Sequence, residues 1–232
     1  MILKHKRNTN GPTWIEYLAT YLGADLYDQA YSGATANNVS KRSILPRSVP
    51  DISEQILEFN SNDSKLNSAE TLYIIWTGVN DVHDIYVKTN DITEQNILLN
   101  SIVDSVTKEV NSFHPTDHLL IMGLAPIERL PLFSSLSDPT ALIKLIRTYN
   151  EKLKALAASR YPSTKFINAN FMFEKYIAFH NSYKYVDTTQ ACTLDLEQCI
   201  KSNYSYLWWD EWHPTTKTHQ LIATDVFFNL HK

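Results

Sequence analysis

The chain has 232 residues, with 21 Lys and Arg against 25 Asp and Glu and a formal net charge of −4. Apolar residues at 44% and charged residues at 20% exclude a disordered tail, and the slight acidic balance without a basic block argues against nucleic acid or an anionic membrane as the main partner. Five glycines and two cysteines exclude collagen-like and disulfide-scaffold classes, and no apolar run approaches the roughly 18 residues needed to span a bilayer.

Met1-Ile2-Leu3-Lys4-His5-Lys6-Arg7 places a few apolar residues before a basic cluster, the wrong order for a secretory signal, so no signal peptide is expected in the chain as written. Asn10-Gly11-Pro12 precedes Trp14, Ile15, Tyr17, Leu18, Tyr21 and Leu22 at helical spacing, with Gly23 as a stop. Asp25 to Tyr31 reads as a short strand ending at Ser32-Gly33, and Pro50 to Phe59 as a helix. Thr71 to Trp76 is nearly continuously apolar, as in a strand buried on both faces. Ile92 to Phe113 predicts a long amphipathic helix, His118 to Leu124 a second buried strand and Pro139 to Arg160 another helix. Lys165 to Ala169 predicts a strand and Pro214 to Leu230 a closing helix. The longest stretch without predicted structure, Tyr183 to Trp209, holds both cysteines. Alternating strands and helices imply a parallel sheet covered on both sides, in a single domain over 1–232.

In such sheets the active groups gather at the carboxyl ends of the strands. Ser32-Gly33-Ala34-Thr35, Gly78-Val79-Asn80-Asp81 and Gly123-Leu124-Ala125-Pro126 are strand ends, and Trp209-Asp210-Glu211-Trp212-His213-Pro214 precedes the last helix. Asp210 three residues before His213 lets a carboxylate fix one ring nitrogen and free the other as a base. An N-capping aspartate beside a surface histidine fits the same spacing. Asn80, after the strongest strand, is placed to donate to a developing oxyanion or to cap its own turn. Gly33 offers a bare backbone N–H at another strand end, ordinary by itself. Asp81 and His83 read as a loop cap and a surface residue, and Trp208, Trp209 and Trp212 as packing rather than substrate contacts. Cys192 and Cys199 fit either a short disulfide loop or two reduced thiols. Asn38, Asn62 and Asn203 stand in N-glycosylation tripeptides, which also arise by chance.

Taken together, the Gly33 block, Gly78-x-Asn80-Asp81 and Asp210-x-x-His213-Pro214 resemble, in order and spacing, the GDSL-type (SGNH) serine hydrolases. Asn10 to Ala19, the Cys192/Cys199 pair and Trp209-Asp210 look like the fungal and bacterial lipase-like or acetylesterase-like branch. The resemblance covers essentially the whole chain. It implies a flavodoxin-like three-layer α/β/α sandwich with a parallel sheet, and a carboxylic ester hydrolase that works through an acyl-enzyme. His213 is then the general base, Asp210 its orienting carboxylate, and Gly33 and Asn80 the oxyanion donors. Cys192 and Cys199 are the disulfide candidates. No metal or organic cofactor is expected. The implied substrate is an ester: a small molecule, a lipid or an acetylated carbohydrate, with short-chain or carbohydrate acetates favoured. Nucleic-acid binding and a transmembrane anchor are not expected, and a monomer is.

The family's Gly-Asp-Ser block, which carries the nucleophile, does not occur before Asn10, so no nucleophile is identifiable. Asn62-Asp63-Ser64 lacks the glycine and a preceding strand, and Ser32 has no nucleophilic role in the family pattern. The expectation is therefore an N-terminally incomplete domain that lacks its first, central strand and folds poorly alone, from a complete parent that is extracellular. The alternative is a catalytically inactive relative that binds an ester, lipid or glycan in the inherited cleft. A nucleotide-binding module is disfavoured, since no glycine-rich phosphate loop follows a predicted strand.

Overall fold

The computed structural model describes residues 7–37, 49–61 and 68–231. The opening segment 1–6, the tripeptides at Asn38 and Asn62, and the Ser64 imitation of a nucleophile lie outside the described residues. In chain order the elements are α1 (Trp14–Leu22), α2 (Ile52–Ser61), β1 (Leu72–Ile75), α3 (Val79–Lys88), α4 (Ile92–Ser112) and β2 (His118–Met122). There follow α5 (Thr140–Ser159), β3 (Thr164–Ile167), α6 (Ala169–Ala178), β4 (Asp187–Ala191), α7 (Leu196–Lys201), β5 (Tyr206–Trp208) and α8 (Thr216–Leu230). The fold is α/β, with parallel strands and helices packed around them.

The chain forms two compact units. One comprises Gln29–Ile127 and Pro139–Ala169, and holds a parallel sheet in the order β1-β2-β3. Tyr73 pairs with Leu119 and Ile121 with Phe166. A parallel pair needs a crossover rather than a hairpin, and α3 with α4 supplies the first and α5 the second. The central strand is the apolar one: Leu119, Leu120, Ile121 and Met122 are all at most 1% exposed. Each such side chain contributes about 1.5–3 kcal/mol of burial. Helix α4 starts at Asp91, whose carboxylate caps the N–H groups of Thr93 and Glu94, and buries Leu99, Ile102, Val103, Val106 and Val110. Helix α5 buries Leu142, Leu145, Ile146, Tyr149, Asn150 and Leu153.

The other unit comprises the segment up to Asp28, Glu128–Asp138, and Asn170 onward. Within it α1 packs along α8, and β4 pairs in parallel with β5 through an irregular register. The Phe173 ring stacks on buried Trp208, with centroids 5.5 Å apart, and the Trp208 indole donates to the Thr188 carbonyl. Cys192 and Cys199 form a disulfide, buried against Tyr206, Tyr204 and Trp209.

Three sequence expectations change. The segment from Asp25 to Tyr31 is not a strand; only Tyr27 makes an isolated bridge. Helices α3 and α6 replace what read as a turn and a strand end. The reason at α3 is Gly78, whose φ of 104° places the chain outside the helix and lets the first turn begin at Val79. Strands β4 and β5 and helix α7 fill the stretch that read as unstructured. β4 is Asp-Thr-Thr-Gln-Ala, polar but for its last residue, so no apolar alternation announces it.

Candidate active site

The turn between β5 and α8 is built from backbone hydrogen bonds. The N–H of Trp209 donates to the His213 carbonyl at 2.7 Å, and Trp208 bridges Pro214. This closes residues 209–213 into a loop with Asp210 at its centre. The Asp210 carboxylate accepts from the backbone N–H of Trp212 at 2.8 Å and of His213 at 2.7 Å. Both of its oxygens also lie 2.9 Å from Nδ1 of His213. A carboxylate so placed fixes the imidazole with its proton on Nδ1, leaving Nε2 as the basic nitrogen. Burial opposes the charge on Asp210, yet the His213 ring and the two backbone N–H groups hold its carboxyl below the usual range.

Nε2 of His213 faces the side-chain amide of Asn8 at 3.5 Å. Asn8 opens a segment that buttresses this turn. Thr9 donates to the Pro214 carbonyl at 2.9 Å, Asn10 accepts from the N–H of Thr216 at 2.9 Å, and Tyr17 meets the Thr216 hydroxyl at 3.0 Å. Gly11 is required by this approach, since a Cβ there would overlap the Thr216 side chain. Behind it, buried Glu16 accepts from Thr13 and from both nitrogens of the Arg7 fork, at 2.9 and 2.6 Å. Thr215 caps α8 and anchors its hydroxyl on the Tyr206 carbonyl at 2.8 Å.

In the sheet unit, Gly33 lies in a turn in which the N–H of Ala34 donates to the Tyr31 carbonyl, and its φ of 81° favours glycine. Asn80 sits in the first turn of α3, with its amide donating to the Ala34 carbonyl at 2.8 Å. Asp81, 4% exposed, accepts the Ala36 N–H on both oxygens at 3.1 Å. Asn80 and Asp81 thus tie α3 to the residues just after Gly33. The expected loop cap at Asp81 is a buried carboxylate, and His83 is partly buried and bonded to Asp84 at 3.1 Å.

Neighbours on α5 hold the strand ends. Tyr149 donates to the Thr77 carbonyl at 3.1 Å. Asn150 accepts from the N–H of Leu124 at 2.7 Å and donates to the Leu124 carbonyl at 3.1 Å. Sequence reading missed Tyr149 and Asn150; the signal was an amide in the apolar stripe of an amphipathic helix. Among the described residues no group of three His, Cys, Asp or Glu side chains is arranged to hold a metal ion.

The model of the GDSL-like Lipase/Acylhydrolase family matches residues 4–226. The chain belongs to this family. Membership makes it a hydrolase of ester bonds, whose substrates are small-molecule esters. It is 23% identical to an acetylesterase of Thermothelomyces thermophilus, over 94% of this chain and 74% of that one. An acetylesterase of Hypocrea jecorina is 22% identical, over 96% of this chain and 77% of the relative. A thermolabile hemolysin of Vibrio parahaemolyticus is 23% identical over 93% of this chain, which spans only 54% of the hemolysin. No described helix of this family member is long and apolar enough to cross a membrane.

Proposed function

We propose that the protein hydrolyses acetyl and other short carboxylic esters, carbohydrate acetates included, through a serine acyl-enzyme. The observation that carries this reading is the Asp210 carboxylate held 2.9 Å from Nδ1 of His213, in a chain of this family. In this reading Nε2 of His213 takes the proton of a serine hydroxyl as its oxygen bonds to the ester carbonyl. The Gly33 N–H and the Asn80 amide donate to the oxyanion that forms. Collapse expels the alcohol, which receives the proton from His213, and water then repeats the sequence to release the acid. The nucleophile in this reading is a serine, the residue type that the family's Gly-Asp-Ser block supplies. Two relatives named acetylesterase support the acetyl group as the part transferred. The Cys192–Cys199 disulfide supports work outside the reducing cytosol.

The test is turnover of a chromogenic acetyl ester, with fluorophosphonate labelling and peptide mapping to find the activated serine. Turnover should fall by about a thousandfold or more in His213→Ala, as loss of a triad base does elsewhere. Undiminished turnover in that variant, or absence of both turnover and labelling in the parent, overturns the reading.

A further inference from the structure

The disulfide-closed turn carries a group the reaction does not use. Helix α7 ends in two residues with left-handed backbone, Asn203 at φ 55° and Tyr204 at φ 54°. The Tyr204 N–H reaches back to the Cys199 carbonyl at 2.8 Å and the Asn203 N–H to that of Ile200 at 2.9 Å, the paired bonds of a Schellman cap. That cap needs only the main chain of Asn203, and glycine is its usual occupant. The exposed Asn203 side chain forms no hydrogen bond with any described residue, nor does the Ser205 hydroxyl two positions on. Asn203-Tyr204-Ser205 is an acceptor tripeptide with no proline at its centre.

A second observation concerns the compartment. Cys199, which closes the seven-residue separation to Cys192, is the residue whose carbonyl caps this turn. A buried disulfide forms where the surroundings are oxidising, and in a eukaryotic secretory route that is also where oligosaccharide is transferred to asparagine. The same loop leaves Leu194 75%, Leu196 45% and Ile200 51% exposed, apolar surface that a hydrated glycan would shield.

We propose that Asn203 is an N-linked glycan acceptor. Its amide nitrogen bonds to the anomeric carbon of an oligosaccharide carried on a lipid pyrophosphate. The anomeric carbon–oxygen bond to that pyrophosphate breaks, the lipid pyrophosphate leaves, and the amide gives up one proton. The folded turn keeps the product in water without disturbing the cap.

The experiment expresses the full chain behind a cleavable leader in yeast and reads the Asn203 peptide by mass spectrometry, before and after amidase release of the glycan in heavy-oxygen water. The intracellular microsomal pool is read alongside the medium, which covers a chain that is not exported. The expected result is a glycan on Asn203 that is lost completely in Asn203→Gly and in Ser205→Ala. Asn203→Gly preserves the left-handed cap, so its thermal melting should match the parent. A disulfide-bonded chain with an unmodified Asn203 in both pools overturns the proposal, as does a glycan that persists at this peptide in Ser205→Ala.

Discussion

His219 shows how one side chain ties the candidate site to acid stability. It lies one helical turn into α8, and its buried Nδ1 has no hydrogen-bond partner among the described residues. Burial, and then the neighbouring His213, lower its pKa to about 3, against an opposing pull from Glu16. In the unfolded chain an imidazole titrates near 6.5. From there down to about pH 3 the unfolded state therefore binds the extra proton. The contribution of the neutral ring is complete above about pH 6.5 and is lost as the pH falls, at up to about 1.4 kcal/mol per unit. Followed from neutral pH downward, the melting temperature of the parent should fall more steeply than that of His219→Gln, which lacks the buried imidazole. Parallel curves would remove His219 from the account. The pairing of Asp210 with His213 was legible in the sequence because the two stand only three positions apart in one turn. His219 was not, because α1, which packs on its helix, and Glu16, whose charge it meets, stand about 200 residues earlier.

At the scale of an element, α5 does more than cover the sheet. Tyr149 and Asn150 are consecutive, yet one engages the end of β1 and the other the end of β2. Gly78 lies against the Tyr149 ring so closely that a Cβ would overlap it. Asn150→Ala should leave the buried N–H and carbonyl of Leu124 unpaired, each costing about 1–3 kcal/mol. Chemical denaturation should show that loss, with Asn150→Asp between the variant and the parent because it keeps the acceptor and forfeits the donor. A wild-type midpoint in Asn150→Ala would contradict it. Apolar periodicity located α4 and α5, and apolar runs located β1 and β2. It missed α6, where apolar residues stand on several faces, and β4, where there are almost none. It also missed the partners of Asn150 and Tyr149, since a hydrogen bond across 26 or 72 residues leaves no local pattern.

Across the whole molecule, two cross-links of very different range hold the second unit. The Cys192–Cys199 bridge closes a loop of about eight residues, which restricts the unfolded chain by roughly 2.5 kcal/mol. The double variant Cys192→Ala/Cys199→Ala should lose about that much stability by reversible denaturation, and reducing agent should lower the parent to the same level. A parent indifferent to reduction would contradict this. The other link is non-covalent: α1 lies along α8 although nearly the whole chain separates them. Roughly 190 residues must be polymerised between these two helices, which at 5–20 residues per second takes about 10–40 seconds. For that interval Leu18 and Ala19, which end up at most 8% exposed, have no α8 to pack on. The nascent chain thus carries a sticky helix throughout most of its own synthesis, and its yield in a cell depends on what shields that helix until the last turn of α8 emerges.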